Sequence, residues 1–284
     1  MLPQLTILAP GLLGASVARA VRARHVAQRI VIWSRRAETR LALTGQPWCD
    51  AVADTPEAAV TGSSLVVIAS PVDHIVPLIR QIASHLPTGA IVTDVGSVKE
   101  EITRLGTAAL GAHAHFVGAH PMAGSEKTGW EYGTAELFQG RTCFVTPLTN
   151  TAPAATASVL KFWGDLGANT TVVEPARHDE IVAHISHLPQ VLASTLCAFL
   201  AQRDPAWCDF AGGGLRDTTR IAGSDPQLWR TILEQNRTEV LDALQHYQAE
   251  LNRFEKALVA GDYAALVEQL QRGQDYRRGL RPAS

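Results

Sequence analysis

Short apolar segments alternate with helical stretches through the first half of the chain, and this alternation constrains the fold more than any other feature of the sequence. Each segment is apolar or β-branched and is bounded by turn formers, which is typical of strands buried on both faces. Helical stretches, such as residues 14–24 and 72–85, lie between them. The pattern predicts βαβ units and a mainly parallel sheet, which is an α/β fold. The predicted strands are residues 5–9, 30–33, 65–69, 91–94, 116–118, 143–145 and 170–173.

From Glu174 onwards the sequence has few strand signals and is typical of helices. The chain has 284 residues, which exceeds the usual size of a single domain. We therefore expect a sheet domain over residues 1–173 and an all-helical domain over residues 174–284.

The helical half contains a regular apolar seam. A long helix is predicted to begin near Ser224, with Pro226 in its first turn, and to end at Gly261, before a short antiparallel helix over residues 263–271. The seam residues alternate at steps of four and three, as a and d positions do, and are Val240, Leu244, Tyr247, Leu251, Phe254 and Leu258. We expect a homodimer formed through the helical domain; packing within one subunit is the alternative.

Composition and charge exclude several classes of protein. Hydrophobic residues make up 46% of the chain and charged residues 18%, which excludes a disordered chain. The net charge of −2 gives no basic field for nucleic acid or an anionic membrane. The most apolar stretch, residues 181–201, contains His184, His187 and Pro189, so it is interpreted as a buried helix and not as a membrane span.

The cysteines and histidines give no sign of a metal centre or a disulfide framework. The four cysteines are Cys49, Cys143, Cys197 and Cys208, and they are far apart in the sequence. Reduced thiols and a cytoplasmic location are expected, since the N-terminus also has no targeting signal. His178, His184 and His187 cluster in sequence, but on a regular helix His178 lies opposite His187, so no metal is predicted.

The first predicted strand leads into a glycine-containing turn that opens a helix. The dinucleotide-binding fingerprint G-x-G-x-x-G has its second and third glycines here, as Gly11 and Gly14, while Ala9 stands in place of the first. Gly11 permits close approach to a pyrophosphate at the helix N-terminus, and Gly14 permits tight packing of helix on strand. We infer a Rossmann-type domain that binds its cofactor at Gly11, Leu12, Leu13 and Gly14; an ordinary strand–turn–helix is the alternative.

The end of the second predicted strand indicates which dinucleotide binds. NAD-specific sites place an acid about 20 residues beyond the glycines, where it accepts hydrogen bonds from the ribose hydroxyls. This chain instead has Ser34, Arg35 and Arg36, which can bind a 2′-phosphate. We predict NADP as the preferred cofactor, with NAD possible; solvated arginines at a helix start are the alternative.

Polar, glycine-rich segments follow further strands, at the edge where open α/β sheets bind ligands. From two of these segments we assign Ser70, Pro71, Asp94 and Gly96 to the cofactor site. Other such segments are residues 118–129 and, in the helical half, residues 178–179, 186–189 and 212–226.

Taken together, these segments resemble the prephenate/arogenate dehydrogenase family of tyrosine biosynthesis, in the family's order and over nearly the whole chain. The most specific are residues 94–99, 120–124, 178–189 and 216–220. The resemblance implies a Rossmann-type domain followed by a helical dimerisation domain. It also implies NAD(P)-dependent oxidative decarboxylation of a cyclohexadienol to an aromatic product and CO2.

The resemblance also implies roles for individual residues. His120 corresponds to the residue that accepts the proton of the ring hydroxyl, and Ser97 to a serine that orients it. A neutral histidine suits this task because its ordinary pKa is about 6.5. Arg220 corresponds to a guanidinium that clamps a substrate carboxylate. The other residues assigned to the substrate site are Glu126, His187, Gln190, Gly213, Arg216, Asp217 and Trp229.

Several of these assignments have structural alternatives. Arg216 and Asp217 suit a salt-bridge network as well as a direct role, with Asp217 reaching across a dimer interface, and Trp229 suits core packing equally. Gln190 stands where some relatives carry a histidine. Because a neutral amide can accept from an ammonium, we expect arogenate to be used at least as well as prephenate.

Two rival functions are weighed against this one. A β-hydroxyacid dehydrogenase would need a lysine in a glycine-rich helix of the second domain, whereas the only lysines after Lys127 are Lys161 and Lys256. A non-catalytic NADP-binding redox sensor would keep Gly11, Gly14 and Arg35 without needing the remaining site residues.

Overall fold

The computed structural model describes residues 1–124 and 127–280. Nine strands are distributed over the first part of the chain, and twelve α-helices over its described length. The strands are β1 (Leu2–Leu8), β2 (Ala27–Trp33), β3 (Ala51–Val52), β4 (Leu65–Ile68), β5 (Ile91–Asp94), β6 (His115–Phe116), β7 (Gly118–Pro121), β8 (Thr142–Thr146) and β9 (Asn169–Val172). The helices are α1 (Leu12–Ala23), α2 (Ala37–Leu43), α3 (Pro56–Val60), α4 (Val72–Ile82), α5 (Glu100–Leu110), α6 (Pro153–Asp165), α7 (Pro175–Val182), α8 (Leu188–Leu200), α9 (Gly213–Thr219), α10 (Pro226–Gln235), α11 (Arg237–Ala260) and α12 (Tyr263–Gly279).

Six strands form one parallel sheet in the order β3-β2-β1-β4-β5-β6, which confirms the predicted α/β fold. From β1 the chain first adds β2 and β3 on one side of the sheet and then β4, β5 and β6 on the other, so the switch point lies between β1 and β4. These two strands pair in parallel, with Leu8 opposite Ile68. Open sheets of this kind bind ligands in the crevice at such a switch point, beyond the carboxyl ends of the strands. Beyond their first residues (Leu2, Pro3 and Ile91), the apolar residues of β1, β4 and β5 are fully or almost fully buried, as expected for strands covered by helices on both faces.

The predicted strands over residues 143–145 and 170–173 do not join the parallel sheet, because β7, β8 and β9 form a second sheet. Strands β7 and β8 are antiparallel, with His120 opposite Phe144. Strand β7 was missed because its sequence, Gly-Ala-His-Pro, has no apolar run. The first residue of β7 must be a glycine, because the neighbouring strand lies very close to it. A Cβ on Gly118 would lie 2.5 Å from Oγ1 of Thr146.

The helical half begins with α7, directly after Glu174, and its predicted long helix is divided in two. Helix α10 ends at Gln235 and α11 begins at Arg237, because Asn236 takes a non-helical conformation and uses its side chain for buried contacts. Gly261 ends α11 in the left-handed conformation (φ 64°), as predicted. Helix α12 extends to Gly279, beyond the predicted end at residue 271.

The run from Pro175 to Leu200 is, among the described residues, the one stretch of helix long and apolar enough to cross a membrane by length and composition. It is not the buried helix that we predicted, because Ile185 and Phe199 are about half exposed in the single chain. The same run buries the polar residues His178, Asp179 and His187, which the next section describes.

Candidate active site

A cavity of about 800 Å³ opens at the switch point of the parallel sheet. Six residues that the sequence assigned to a cofactor line it: Gly11, Ser34, Arg35, Arg36, Ser70 and Pro71. The segment from Thr128 to Glu131 also lines the cavity, together with Trp33, Thr39 and His74. None of these residues was assigned to the cofactor from the sequence, although Thr128 and Gly129 end the glycine-rich segment 118–129, because loop and helix residues that face a cavity carry no distinctive pattern.

The glycine turn has the geometry that the fingerprint requires. Gly11 is the N-cap of α1, and a Cβ placed on it would contact nothing within 4 Å, so the backbone is open to a ligand. A Cβ on Gly14 would lie 2.9 Å from Cβ of Ala69, which explains the need for glycine where α1 crosses β4. Ala9 occupies the position of the missing first glycine with φ 61°, the left-handed conformation that favours glycine. Leu12 and Leu13 form the half-buried first turn of α1 but do not line the cavity.

The loop after β2 holds its hydroxyl and guanidinium groups at the far end of the cavity. Nη1 of Arg40 donates hydrogen bonds to the carbonyl oxygens of Ser34 (2.9 Å) and Arg35 (3.2 Å), which fixes the loop from behind. The side chains of Arg35 and Arg36 are exposed to solvent, and Ser34 is buried.

The residues of this cavity fit a dinucleotide. Oγ of Ser70 is buried and makes no hydrogen bond within the described residues, although it stands at the end of β4 on the cavity wall. An unpartnered buried hydroxyl next to an open helix N-terminus is what an anionic, hydrogen-bonding ligand would satisfy. Ser70, Gly11 and the arginines after β2 would then hold its phosphates.

Asp94 and Gly96 do not line the cavity, and the structure gives them a different task. The fully buried carboxylate of Asp94 pairs with Nζ of Lys99 and accepts hydrogen bonds from the backbone N–H groups of Gly96 (2.9 Å) and Ala119 (3.1 Å). A Cβ on Gly96 would lie 2.8 Å from Ile75. Asp94 therefore ties the end of β5 to β7, and its carboxylate is fully buried and does not line the cofactor cavity.

Strand β7 carries His120 into a buried chain of hydrogen bonds. Nδ1 of His120 lies 2.9 Å from Nε2 of His178, and Nδ1 of His178 lies 2.7 Å from Oδ1 of Asp179. The carboxylate of Asp179 also accepts from the backbone N–H groups of Lys99 (2.7 Å) and Glu100 (2.9 Å), at the start of α5. The chain thus joins the sheet half of the molecule to α7 in the helical half. Nε2 of His120 has no partner in the part of the chain that the structure describes.

Burial keeps the histidines of this cluster uncharged. Desolvation holds the pKa of His120 well below its ordinary value, and the neighbouring His178, Lys99 and His187 lower it further. Desolvation lowers the pKa of His178 to about 2 and that of His187 to about 4. Burial raises the pKa of Asp179, while the two backbone N–H groups oppose this shift. A neutral imidazole with one open nitrogen can accept a proton.

A second group of buried polar atoms lies beside this chain. Nδ2 of Asn236 donates to the backbone oxygen of Asp179 (2.9 Å) and contacts Nδ1 of His187 (3.1 Å). The ring of His187 meets that of Trp229 edge to face, with centroids 5.8 Å apart. Nε2 of His187 and Oε1 of Gln190 are both buried without a partner among the described residues, while Nε2 of Gln190 donates to Oγ of Ser194 (3.2 Å).

The expectation that His178 and His187 face opposite ways is wrong, because it assumed a regular α-helix. Residues Ala183–His187 form a π-helical turn, which changes the angle between the residues before and after it. Both imidazoles are buried in one network, while His184 stays exposed. The described residues contain no group of three or more His, Cys, Asp or Glu side chains arranged to hold a metal ion.

Other predicted site residues are not brought to His120 by contacts within the single chain. Arg220 and Arg216 are exposed on the surface that α9 and the following turn form against α8, and Gly213 and Asp217 are exposed there too. Ser97 is half-buried in the loop before α5 and makes no hydrogen bond to His120, whose Nδ1 faces His178. Glu126 lies outside the described residues. The substrate-binding roles of these residues stay predictions.

Two residues of the buried network were missed at the level of the sequence. Lys99 was noted only as part of a motif, yet its side chain is 0% exposed. A lysine five residues beyond a strand-terminal aspartate, in an otherwise buried segment, was the available signal. Asn236 could not be found, because nothing in the apolar pattern marks the break between α10 and α11.

Comparisons with known proteins place these features in context. Residues 17–172 match the model of the prephenate dehydrogenase nucleotide-binding domain, and residues 174–272 match that of the prephenate dehydrogenase dimerization domain. The chain is 31% identical to prephenate dehydrogenase of Bacillus subtilis, over 95% of this chain and 74% of that protein.

Two solved structures share the whole architecture. Prephenate dehydrogenase from Aquifex aeolicus, in complex with hydroxyphenyl propionate and NAD+, superposes with a TM-score of 0.92 at 29% identity, covering 98% of both chains. Arogenate dehydrogenase from Synechocystis superposes with a TM-score of 0.84 at 27% identity, covering 97% of this chain and 99% of the other.

Proposed function

The chain belongs to the prephenate dehydrogenase family, and from this premise we infer that it catalyses the NAD(P)-dependent oxidative decarboxylation of arogenate, prephenate or both in tyrosine biosynthesis. The products are tyrosine or 4-hydroxyphenylpyruvate, together with CO2. The observation that carries the proposal is the open Nε2 of His120. His120 belongs to β7, and the hydrogen bond from Ala119 to Asp94 holds β7 against the end of β5. Strand β5 in turn pairs with β4, whose end lies at the cofactor cavity.

His120 accepts one proton from the substrate and later returns it to the product. The substrate carries a hydroxyl on ring carbon C4 and a carboxylate on C1, and a bound nicotinamide supplies the acceptor for the hydride of C4. As the C4–H bond breaks, the hydroxyl proton passes to Nε2 of His120, which leaves a carbonyl at C4. The C1–carboxylate bond then breaks, its electron pair completes the aromatic ring, and the imidazolium returns its proton to the phenolate oxygen. The reaction therefore releases no net proton at His120.

Ser97 and Arg220 are proposed to position the substrate for these steps. Ser97 stands in the loop that follows β5 and would hold the reacting hydroxyl near His120. Arg220 would bind a substrate carboxylate in a bidentate manner, with Arg216, Asp217 and Gly213 around it. The turn at Arg220 packs against α8, the helix that carries Gln190. This packing brings the proposed carboxylate clamp and the side-chain pocket to the same helix.

NADP is proposed as the preferred cofactor. Ser34, Arg35 and Arg36 line the cavity, and a 2′-phosphate would find a hydroxyl and two guanidinium groups there. The Aquifex relative was solved with NAD+, so the comparison leaves the two cofactors open for this chain. Replacing Arg35 by alanine should raise KM for NADP at least tenfold and change KM for NAD less than twofold. Equal effects on the two cofactors would reject this preference.

Arogenate is proposed to be used at least as well as prephenate. The orphaned Oε1 of Gln190 is a buried acceptor, and Nδ1 of His187 faces an N–H donor, so His187 carries its proton on Nε2. One open acceptor beside one open donor suits the ammonium and the carboxylate of an amino acid side chain. Prephenate has a keto oxygen in place of the ammonium and would leave Oε1 of Gln190 unpaired. A kcat/KM for prephenate more than tenfold above that for arogenate would reject the proposal.

The enzyme is proposed to act in the cytoplasm as a homodimer formed through the helical domain. Apolar side chains of that domain stay uncovered in the single chain, among them Phe210 (81% exposed) and Val259 (84%). Exposed apolar residues in this number mark an interaction surface. The matching family model describes residues 174–272 as a dimerization domain.

One set of assays tests the proposed function. Appearance of reduced cofactor is followed by absorbance in the four pairings of arogenate or prephenate with NADP or NAD. We expect turnover with at least one substrate, faster with NADP than with NAD. A protein that binds NADP tightly but turns over neither substrate would be a cofactor-binding sensor, and the proposal would be wrong.

A further inference from the structure

We propose that His178 and Asp179 are positioning residues that select the tautomer of His120, with the proton on Nδ1 and an open lone pair on Nε2. The inference rests on the proposed function, in which Nε2 of His120 accepts the proton of a ring hydroxyl. Neither residue touches the substrate in this scheme. Both act through His120.

The donor and acceptor of each hydrogen bond between His120, His178 and Asp179 can be assigned by starting from Asp179. The backbone N–H groups of Lys99 and Glu100 can only donate, so both oxygens of Asp179 accept. Oδ1 therefore also accepts from His178, which places the proton of His178 on Nδ1. Nε2 of His178 is then an acceptor, and Nδ1 of His120, 2.9 Å away, must donate to it.

The neutral state of the two imidazoles makes this assignment complete. A neutral imidazole carries one proton, so a proton on Nδ1 of His120 leaves Nε2 free. Burial keeps both rings uncharged near pH 7, since it lowers the pKa of each below the ordinary value. The lone pair of Nε2 is thus available before the substrate binds.

Asp179 is held in place because the helical half of the molecule packs against the sheet half. Asp179 belongs to α7, but the N–H groups that hold it belong to the first residues of α5, a helix of the sheet half. The positive end of the α5 dipole also favours a carboxylate there. Asn236, the residue just before α11, donates to the backbone oxygen of Asp179 and so contacts the same residue. Correct docking of α7 on α5 therefore sets the proton position on His120.

A merely structural role for Asp179, as a cap for α5, predicts something different. In that case its loss would lower stability and leave the chemical step intact in the folded enzyme. The two roles separate in the variant Asp179→Leu. Leucine offers no acceptor to Nδ1 of His178, so His178 is free to take either tautomer. Nδ1 of His120 can then be either the donor or the acceptor of the hydrogen bond between the two rings.

The direct test is nuclear magnetic resonance of the full-length protein with ¹⁵N-labelled histidine, comparing wild type with His120→Asn to assign the His120 signals. We expect a protonated Nδ1 and an unprotonated Nε2 on His120 at pH 7, and a mixture of the two tautomers in Asp179→Leu. A wild-type His120 with its proton on Nε2 would overturn the proposal, whatever the activity of the enzyme. Absence of turnover in the wild type would instead reject the proposed function.

Kinetics supply the second test. His178→Phe removes the acceptor, and we expect kcat to fall about 10²-fold or more, with KM for the cofactor changed less than twofold. His178→Gln keeps an acceptor oxygen and should recover part of this loss. The matched controls are His184→Phe, at an exposed position, and Glu180→Gln, at a half-buried position on the same helical run, and both should retain kcat within twofold. Retention of kcat within twofold in folded His178→Phe would also overturn the proposal.

Discussion

At the scale of the residue, Ala9 shows how a departure from a sequence fingerprint appears in the structure. Its φ of 61° is the conformation that glycine takes at little cost, and an alanine there carries strain of about 1–2 kcal/mol. Since glycine also loses more backbone entropy on folding, we expect Ala9→Gly to stabilise the protein by roughly 0.5–1 kcal/mol. Urea unfolding measures this change.

The control for this prediction is the same substitution in a regular helix. Ala157 is exposed within α6, and Ala157→Gly should destabilise the protein by about 1 kcal/mol. If Ala9→Gly destabilises by a similar amount, Ala9 is not strained.

The buried histidines make stability depend on pH in a defined direction. The folded protein holds His120, His178 and His187 neutral, with pKa values of about 2 for His178 and about 4 for His187, whereas in the unfolded chain their pKa is about 6.5. The unfolded state therefore binds more protons below pH 6.5, and stability falls as the pH drops through that value. The raised pKa of Asp179 acts in the opposite direction near pH 4 and does not change this range.

We expect each of these histidines to contribute up to about 1 kcal/mol of lost stability per pH unit below 6.5. Urea unfolding at pH 8, 7, 6 and 5 tests this expectation. Stability should be nearly flat between pH 7 and 8 and should decline from pH 6.5 to 5, with a smaller slope in His187→Phe. A free energy of unfolding that rises between pH 6.5 and 5 would contradict the assignment of neutral buried histidines.

At this scale the sequence predicted part of the site. Gly11, Ser34 and Ser70 follow strand ends in a recognisable order, so their place on the cavity could be foreseen. Asp94 was assigned to the cofactor because it ends a strand, but its carboxylate forms an ion pair with Lys99, five residues further on. Only the folded chain shows which of two nearby polar groups a carboxylate contacts.

At the scale of the element, the break between α10 and α11 is stabilised by a single side chain. Asn236→Ala would remove the only donor to Nδ1 of His187 within the described residues and one of two donors to the backbone oxygen of Asp179, which also accepts from the N–H of Ala183; the cost is about 1–3 kcal/mol. The higher helix propensity of alanine offsets less than 1 kcal/mol of this. We expect a net loss of about 1–2 kcal/mol, measured by urea unfolding.

The nearby helical position Glu234 provides a comparison, because it is exposed and its one ion pair among the described residues is with Arg230. Glu234→Ala should change stability by less than about 0.5 kcal/mol. An equally small effect of Asn236→Ala would mean that the break does not depend on its side chain.

The elements themselves were foreseen to different degrees. The strands of the parallel sheet are apolar on both faces, so β1, β4 and β5 stand out in the sequence. Strand β3 has two residues and was missed, and the predicted strand over residues 116–118 falls across the boundary between β6, which also has two residues, and β7, which has a histidine and a proline. Their pairing comes from contacts with distant residues, such as Thr146 beside Gly118.

At the scale of the whole molecule, the seam on α11 indicates how two copies would meet. Val240 is buried within the chain, but Tyr247, Leu251 and Leu258 are left about 40–55% exposed. We predict that the wild-type protein has twice the mass of its 30.5-kDa chain in light scattering and that Leu251→Lys shifts it towards the monomer. Lys256→Ala, at an exposed position on the same helix, should leave the mass unchanged. A wild-type monomer would contradict the proposed dimer.

The division at Glu174 stays a proposal, but two features of the chain agree with it. The second sheet ends at Val172 and α7 begins at Pro175. The network of His120, His178 and Asp179 crosses this boundary, so the two halves are expected to unfold together.

The central claim is that Nε2 of His120 accepts the hydroxyl proton during hydride transfer, and His120→Asn tests it most directly. Asparagine keeps a side chain of similar polarity but cannot act as a base near pH 7. We predict that kcat falls by about 10²–10⁴-fold, while the Kd for NADP, measured by fluorescence titration, changes less than twofold. A variant that keeps kcat within tenfold of the wild type, with the same Kd, would contradict the account.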